Sequence, residues 1–259
     1  MKIAIIGSGN VAWHLGKALQ QAGHELVAVY SPTAAHREAL AEELAPAKAV
    51  AAPDLRATGA ELVVIAVPDA ALASVAAEVQ VPEGAIVVHT SGSQPLATLQ
   101  GIAGARTGVF YPLQTFSKSK PVDFKTTPLL IESDEEQTLL DLREVANTIS
   151  NEVHQVDSHK RKQLHLAAVF ACNFTNHLLG LSRQLLQQAA LPDTLLQPLI
   201  QETIAKAMQH HPFQVQTGPA VRHDQNVIEE HLKSLQDQPL YQQVYRVLTQ
   251  SIQEHSHRK

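Results

Sequence analysis

Almost nothing in this chain can cross-link. Its 259 residues hold one cysteine, Cys172, so an internal disulfide is excluded and a reducing compartment, the cytoplasm, is the expected setting. No cluster of basic residues is present, and the net charge of −5 argues against nucleic acid as a partner. The chain does not open with a basic segment and a long apolar run, as a secretory signal would. No uninterrupted apolar run approaches the ~20 residues of a membrane helix. Internal repeats and low-complexity segments are lacking as well. The tail His255–Lys259 is polar; its histidines read as solvated end residues, and no metal site is expected. What the chain does have is apolar material. It is 44% hydrophobic and only 17% charged, enough for a full core in one large domain or two ordinary ones.

The first half alternates short apolar runs with helical patterns. The runs are Ile3–Ile6, Leu26–Tyr30, Leu62–Val67, Ala85–Val88, Gly108–Phe110 and Leu129–Ile131. They are β-branched and almost wholly apolar, as strands buried on both faces are. Helical patterns lie between them, at Val11–Ala22, Ala34–Leu44, Ala70–Glu78 and Glu135–Ser150. This alternation predicts a doubly wound parallel α/β sheet of the Rossmann type over residues 1–153. Strand-like runs stop after about Val156. Asp157 and Ser158 are good helix caps, and a helical pattern then runs to about Ala190 before Pro192–Asp193 breaks it. Further helices are expected up to Gln209, from Gln225 and from Pro239, so residues 154–259 read as an all-helical second domain. Its long apolar helix makes a homodimer the expected assembly.

Gly7-Ser8-Gly9-Asn10-Val11-Ala12 follows the first strand and opens the first helix, in the pattern G-x-G-x-x-A. Gly7 permits the tight turn, Gly9 lets a pyrophosphate approach the backbone, and Ala12 allows close helix–strand packing. Gly16 aids the same packing. The helix start presents free N–H groups and a partial positive charge to phosphate. A dinucleotide is the expected cofactor. The second strand ends Tyr30-Ser31-Pro32-Thr33, without the carboxylate that holds the ribose of NAD. Ser31 and Thr33 can donate to a 2′-phosphate, and Arg37 can neutralise it, which favours NADP over NAD. Arg37 reads equally as an exposed helix residue. Ala66, Val67 and Pro68, at the end of the Leu62–Val67 strand, are placed beside the ribose and nicotinamide.

A second polar group follows. His89-Thr90-Ser91-Gly92-Ser93 ends a strand on the same side; it fits a substrate contact through His89 and Ser91, or a serine-capped turn. Tyr111 and Thr115 are further candidate contacts. On the long helix, His165, Asn173, Asn176, Gly180 and Arg183 fall on one stripe at 100° per residue. The stripe fits a polar cleft, or water. Arg222, in Thr217–Asp224, can clamp an anionic substrate. Asp224 can instead pair with it, or cap the next helix.

Together, GSGNVA, VIAVPD, HTSGS, YPLQTF, HLAAVFACNFTNHL and TGPAVRHD extend over nearly the full length. The N-terminal half resembles the NADP-binding domain of a superfamily that includes pyrroline-5-carboxylate reductase, prephenate dehydrogenase and the β-hydroxyacid dehydrogenases. The whole chain is similar to a narrower bacterial family of Rossmann-like oxidoreductases whose C-terminal domain has unknown function. The resemblance implies a helical second domain like that of 6-phosphogluconate dehydrogenase, built around dimerisation. Two departures stand out. β-Hydroxyacid dehydrogenases carry a lysine four residues before a helix asparagine; if Asn173 is that asparagine, Val169 stands at the lysine position. Prephenate dehydrogenases have His-Pro-Met where this chain has Tyr111-Pro112-Leu113.

These readings converge on an NADP-dependent oxidoreductase acting on a small carbonyl or imine, anionic substrate. His165 is the expected general acid/base, because imidazole exchanges protons near neutral pH. Asn173 is expected to orient substrate or nicotinamide, with His89 and Ser91 on the sheet side. The rival is a dinucleotide-binding sensor or structural dimer without turnover, since a fold does not settle a function.

Overall fold

The computed structural model describes residues 1–256; of the polar tail, 257–259 lie outside the described residues. The chain divides into two compact units, Met1–Cys172 and Asn173–Lys259. The division falls inside the long helical stretch, beyond the expected junction at 153/154.

In the first unit eight strands form one sheet: β1 (Lys2–Ile6), β2 (Glu25–Tyr30), β3 (Lys48–Val50), β4 (Leu62–Ile65), β5 (Ile86–His89), β6 (Arg106–Pro112), β7 (Leu129–Glu132) and β8 (Val153–Gln155). Their order is β3-β2-β1-β4-β5-β6-β7-β8. The helices are α1 (Asn10–Gln21), α2 (Ala34–Glu43), α3 (Asp69–Glu78), α4 (Glu136–Ile149) and α5 (Ser158–Ala168). The order reverses between β1 and β4, and ligands of open α/β sheets bind at the strand ends beside such a reversal. Alternate residues of β1 feed two cores: Ile3 and Ile5 pack with Leu15, Leu19 and Phe110, while Ala4 and Ile6 pack with Leu72 and Leu99. Both faces are covered, which is why the runs are apolar without alternation. Gly16 is needed for the first packing, since a Cβ there would lie 2.7–2.8 Å from Leu44 and Ile5 side chains.

The sheet is parallel except at one pair. β6 and β7 run antiparallel, with Pro112 opposite Leu129, and the Leu113 N–H donates to the Pro128 carbonyl at 2.9 Å. The 113–128 segment holds no crossover helix, only a short 3-10 turn at Phe124–Thr126, and the chain re-enters the sheet at the end it left. β3 and β8 were not expected. Each has three residues, without the apolar signature of the buried strands.

The helix from Asp157 is capped as expected, the Asp157 carboxylate accepting from the Lys160 N–H at 2.9 Å. It does not run regularly. A π-helical turn occupies Val169–Phe174, between α5 and α6 (Thr175–Gln188). The wider turn departs from the 100° per residue on which the stripe from His165 to Arg183 rests. By length and composition the stretch Ser158–Gln188 contains a segment long and apolar enough to cross a membrane. Counting uninterrupted runs does not register this, because polar residues such as Asn173, Thr175-Asn176-His177 and Ser182-Arg183-Gln184 divide the stretch. The second unit continues with α7 (Gln197–Gln209), α8 (Gln225–Ser234) and α9 (Pro239–Ser256). Its buried apolar residues are few: Ala220, Ile228, Leu232 and Leu235. Leu199, Met208 and Leu240 are each more than 60% exposed.

Candidate active site

The glycine turn is shaped by its neighbours. Gly7 has φ +112°, and a Cβ would lie 2.1 Å from the Ala66 carbonyl oxygen, so no other residue fits. Its N–H donates to the Tyr30 carbonyl at 2.8 Å, which joins the ends of β1 and β2. Gly9 caps α1 without a side-chain hydrogen bond, and a Cβ there would meet nothing within 4 Å. The first N–H groups of α1 are therefore presented beside open space, which suits a phosphate. Ala12 is fully buried, as close packing requires. The Asn10 amide is engaged by protein, donating to the Phe116 carbonyl at 2.9 Å; His14 Nε2 bonds the Ser117 carbonyl at 2.9 Å. These two contacts tie the 113–128 segment to the first turns of α1.

At the end of β2 the Ser31 hydroxyl bonds that of Ser8 at 3.0 Å. The Arg37 guanidinium, half-buried, donates to the Ser31 carbonyl at 3.3 Å. A hydroxyl pair and a cation thus stand where an NAD site would hold a carboxylate. Thr33 is exposed at the cap of α2. Pro68 caps α3, and the Asp69 carboxylate in its first turn accepts a short hydrogen bond from the Ser93 hydroxyl. That bond joins the loop after β4 to the loop after β5.

The HTSGS loop is a built turn. Ser91 Oγ accepts from the N–H groups of Ser93 and Gln94 at 3.1 and 3.0 Å. His89 has no exposed surface, so it does not touch a substrate from where it stands. Its Nδ1 accepts from the Ser91 N–H at 3.1 Å, and burial first, with the Arg161 charge second, lowers its pKa to about 4. A neutral ring that holds the Ser91 backbone replaces the expected substrate contact. Its Nε2 is buried without a hydrogen-bond partner among the described residues.

One residue absent from the sequence reading organises this region. Arg161 is fully buried in the first turns of α5. It pairs with Glu132 through a short contact, and donates to the carbonyls of Ser91 (Nε, 3.2 Å) and Gln94 (2.5 Å). Ser158 joins the network, donating to Glu132 at 2.8 Å and accepting from the Leu96 N–H at 2.9 Å. Within His159-Lys160-Arg161-Lys162 the sequence shows only a basic first turn, as a solvated helix start does. A glutamate closing an apolar strand, at Glu132, was the one available hint.

Above this base the site closes to a pair. Tyr111 Oη and His165 Nδ1 are 3.1 Å apart, their rings edge-on. Gly92 lies against both: a Cβ would come within 2.6 Å of His165 Nδ1 and 2.8 Å of Tyr111 Cζ. Burial, and then the Asp69 charge, raise the Tyr111 pKa, with Arg161 opposing. The phenol therefore stays protonated, with its oxygen within hydrogen-bond reach of Nδ1. β4 separates β1 from β5, so glycine turn and HTSGS loop stand two strand spacings apart, about 10 Å, at the same sheet edge.

Of the remaining candidates, Thr115 is exposed and bonds only the Gln114 side chain among the described residues. Asn173, Asn176 and Arg222 belong to the second unit, where all three are exposed. No carboxylate pairs with Arg222 among the described residues; Asp224 instead caps α8, accepting from the Val227 N–H. No group of three or more metal-ligating side chains occurs among the described residues.

Comparison with known proteins divides the chain earlier than the compact units do, between residues 114 and 127. A Rossmann-like domain model matches residues 1–114, and a domain of unknown function, DUF2520, matches residues 127–252. No curated protein matches the sequence. Among solved structures, a Bacteroides fragilis protein provisionally named an NADP oxidoreductase is 41% identical, with 98% of each chain covered and a TM-score of 0.88. An Aspergillus terreus reductive aminase, in complex with NADPH and ethyl-5-oxohexanoate, shares the fold at 16% identity; 99% of this chain and 94% of that one are covered, with a TM-score of 0.74. An imine reductase of Streptomyces aurantiacus follows at 17% identity, 98% and 94% coverage, and a TM-score of 0.66.

Proposed function

The chain belongs to the family that joins a Rossmann-like domain to a DUF2520 domain, and on that premise we propose that it is an NADP-dependent oxidoreductase acting on a small carbonyl or imine compound. The observation that carries this reading is the pairing of two features at one sheet edge: a glycine turn open to phosphate after β1, and a tyrosine–histidine pair whose tyrosine ends β6, three strands along.

Gly7, Gly9 and the start of α1 would hold the pyrophosphate. Ser8, Ser31, Thr33 and Arg37 would take the ribose 2′-phosphate, which the absent carboxylate leaves room for. Bound NADPH supplies a hydride to the substrate carbon. His165, as the imidazolium, would give its Nε2 proton to the oxygen or nitrogen of the reduced bond and be left as the neutral ring. Tyr111 would hold that ring through its bond to Nδ1, and Gly92 admits both rings. His89 and Arg161 act as positioning residues, holding the 91–94 backbone from below. Ser91, with its oxygen turned to two backbone N–H groups, belongs to the same scaffold. Asn173, Asn176 and Arg222 enter as substrate-binding residues on the sequence argument, Arg222 toward an anionic group.

A homodimer and a cytoplasmic setting complete the reading. Leu166, Phe170, Phe174 and Leu185 are each 39–63% exposed along one helical stretch. Apolar area such as that of Leu166 and Leu185 is covered in a stable protein, and a second copy is the simplest cover. Sedimentation would show a dimer at micromolar concentration.

The test is a titration with NADPH and NADH. Tighter binding of NADPH is expected, and binding of neither overturns the reading. With an active carbonyl or imine in hand, His165→Gln should slow single-turnover hydride transfer about 100-fold. An unchanged rate removes His165 from the chemistry.

A further inference from the structure

A cavity of about 470 Å³ lies in the first unit along α1, and none of the glycine-turn residues lines it. Its walls come from α1, the 113–128 segment and the end of α4. Trp13, the chain's only tryptophan, is half-buried there. Two ammonium groups converge on its ring: Lys17 Nζ is 4.4 Å and Lys118 Nζ 4.7 Å from the centroid. Sharing one ring, the two charges stand within about 9 Å of each other, inside the screening length of ordinary buffers. Glu43 neutralises Lys17 at 2.5 Å. No carboxylate pairs with Lys118 among the described residues. Lys125, also in the lining, donates to the Thr148 carbonyl at 3.0 Å. The one lining carboxylate, Asp123, is occupied by the backbone N–H of Lys125 and the hydroxyl of Thr126. The rest of the wall includes Ala18, Ala22, Val122, Phe124 and Ile149.

A local excess of positive charge beside apolar walls, in a chain of net charge −5, specifies its own ligand. We infer that this cavity is a second binding site, separate from the glycine turn, for a small organic carboxylate with an aromatic or aliphatic body. The carboxylate meets the Lys118 ammonium, and the body packs on Trp13 and the apolar wall. The volume lies within the range of small-molecule sites. Lys118 stands on the 113–128 segment, and the ligand therefore bridges that segment to α1. The inference does not depend on the oxidoreductase reading.

Trp13 reports its own site. Intrinsic fluorescence of the full chain would be titrated with benzoate and octanoate, with benzamide as the uncharged counterpart and inorganic phosphate as the bare anion. The expected result is a saturable change with both carboxylates, at a dissociation constant of about 1 mM or below. Benzamide and phosphate should bind at least tenfold more weakly. Lys118→Gln, at an exposed position, should keep the melting temperature and weaken benzoate about tenfold, read by calorimetry because Lys118 touches the reporter ring. Equal binding of benzamide, equal binding of phosphate, an unaltered affinity in the lysine variant, or no saturation would each overturn the assignment.

Discussion

Gly92→Ala is the sharpest test of the tyrosine–histidine pair. Gly92 does not adopt a left-handed conformation, so alanine brings no backbone strain there; the whole effect comes from one methyl group. That methyl would stand 2.6 Å from His165 Nδ1 and 2.8 Å from Tyr111 Cζ. Ordinary contact begins near 3.4 Å, so the imidazole must retreat by about 0.8 Å. Both rings are half-buried, and as the imidazole retreats the 3.1 Å bond between them stretches or breaks. A displacement of this order at a reacting group costs about 100-fold in rate, or about 2.7 kcal/mol of barrier. The assay is single-turnover oxidation of bound NADPH with a substrate found by screening carbonyls and imines. NADPH affinity should stay unchanged, because Gly92 is not in the glycine turn. Tyr111→Phe removes the same bond from the other side, so the double variant should lose little more than either single one. A full rate for Gly92→Ala, or fully additive losses in the double variant, would refute the argument that the pair works as a unit.

Gly7→Ala should be worse for folding. Its methyl meets the Ala66 carbonyl at 2.1 Å in a backbone at φ +112°, and about 3 kcal/mol or more should be lost, with NADPH binding, in urea unfolding followed by circular dichroism. Arg161→Met strands the Glu132 carboxylate and leaves the Ser91 and Gln94 carbonyls without their donor; about 3–5 kcal/mol of stability should go by the same assay, and adding Glu132→Gln should return part of it. His89 links stability to pH. Its folded pKa, about 4, is depressed from 6.5, so the unfolded chain takes up the proton first. Its contribution is present above pH 6.5 and is lost as pH falls toward 4, by about 3 kcal/mol at most. His89→Gln should flatten the acid side of a stability–pH curve by that amount; identical curves would show that the histidine is not buried as a neutral ring.

The sequence alone determined the parallel α/β core of the first unit, because its signals are local; the antiparallel direction of β7 and the short edge strands β3 and β8 carry no such signal. Apolar β-branched runs, their spacing and G-x-G-x-x-A each act within a few residues, and β1, α1, β4 and the turn at Gly7 stand where that pattern puts them. The missing carboxylate after Tyr30 was legible for the same reason. What the tertiary structure decided is which polar groups meet. Arg161 and Glu132 lie far apart in sequence, and no periodicity marks a basic first turn as buried. His89 reads as a ligand contact from its place at a strand end, yet the sheet and Arg161 enclose it and take its charge away. The Tyr111–His165 pair exists because Gly92 lacks a side chain, a condition set by three segments at once. Local patterns specify backbone, since backbone geometry repeats; a site is made by side chains from distant segments, and only packing brings those together.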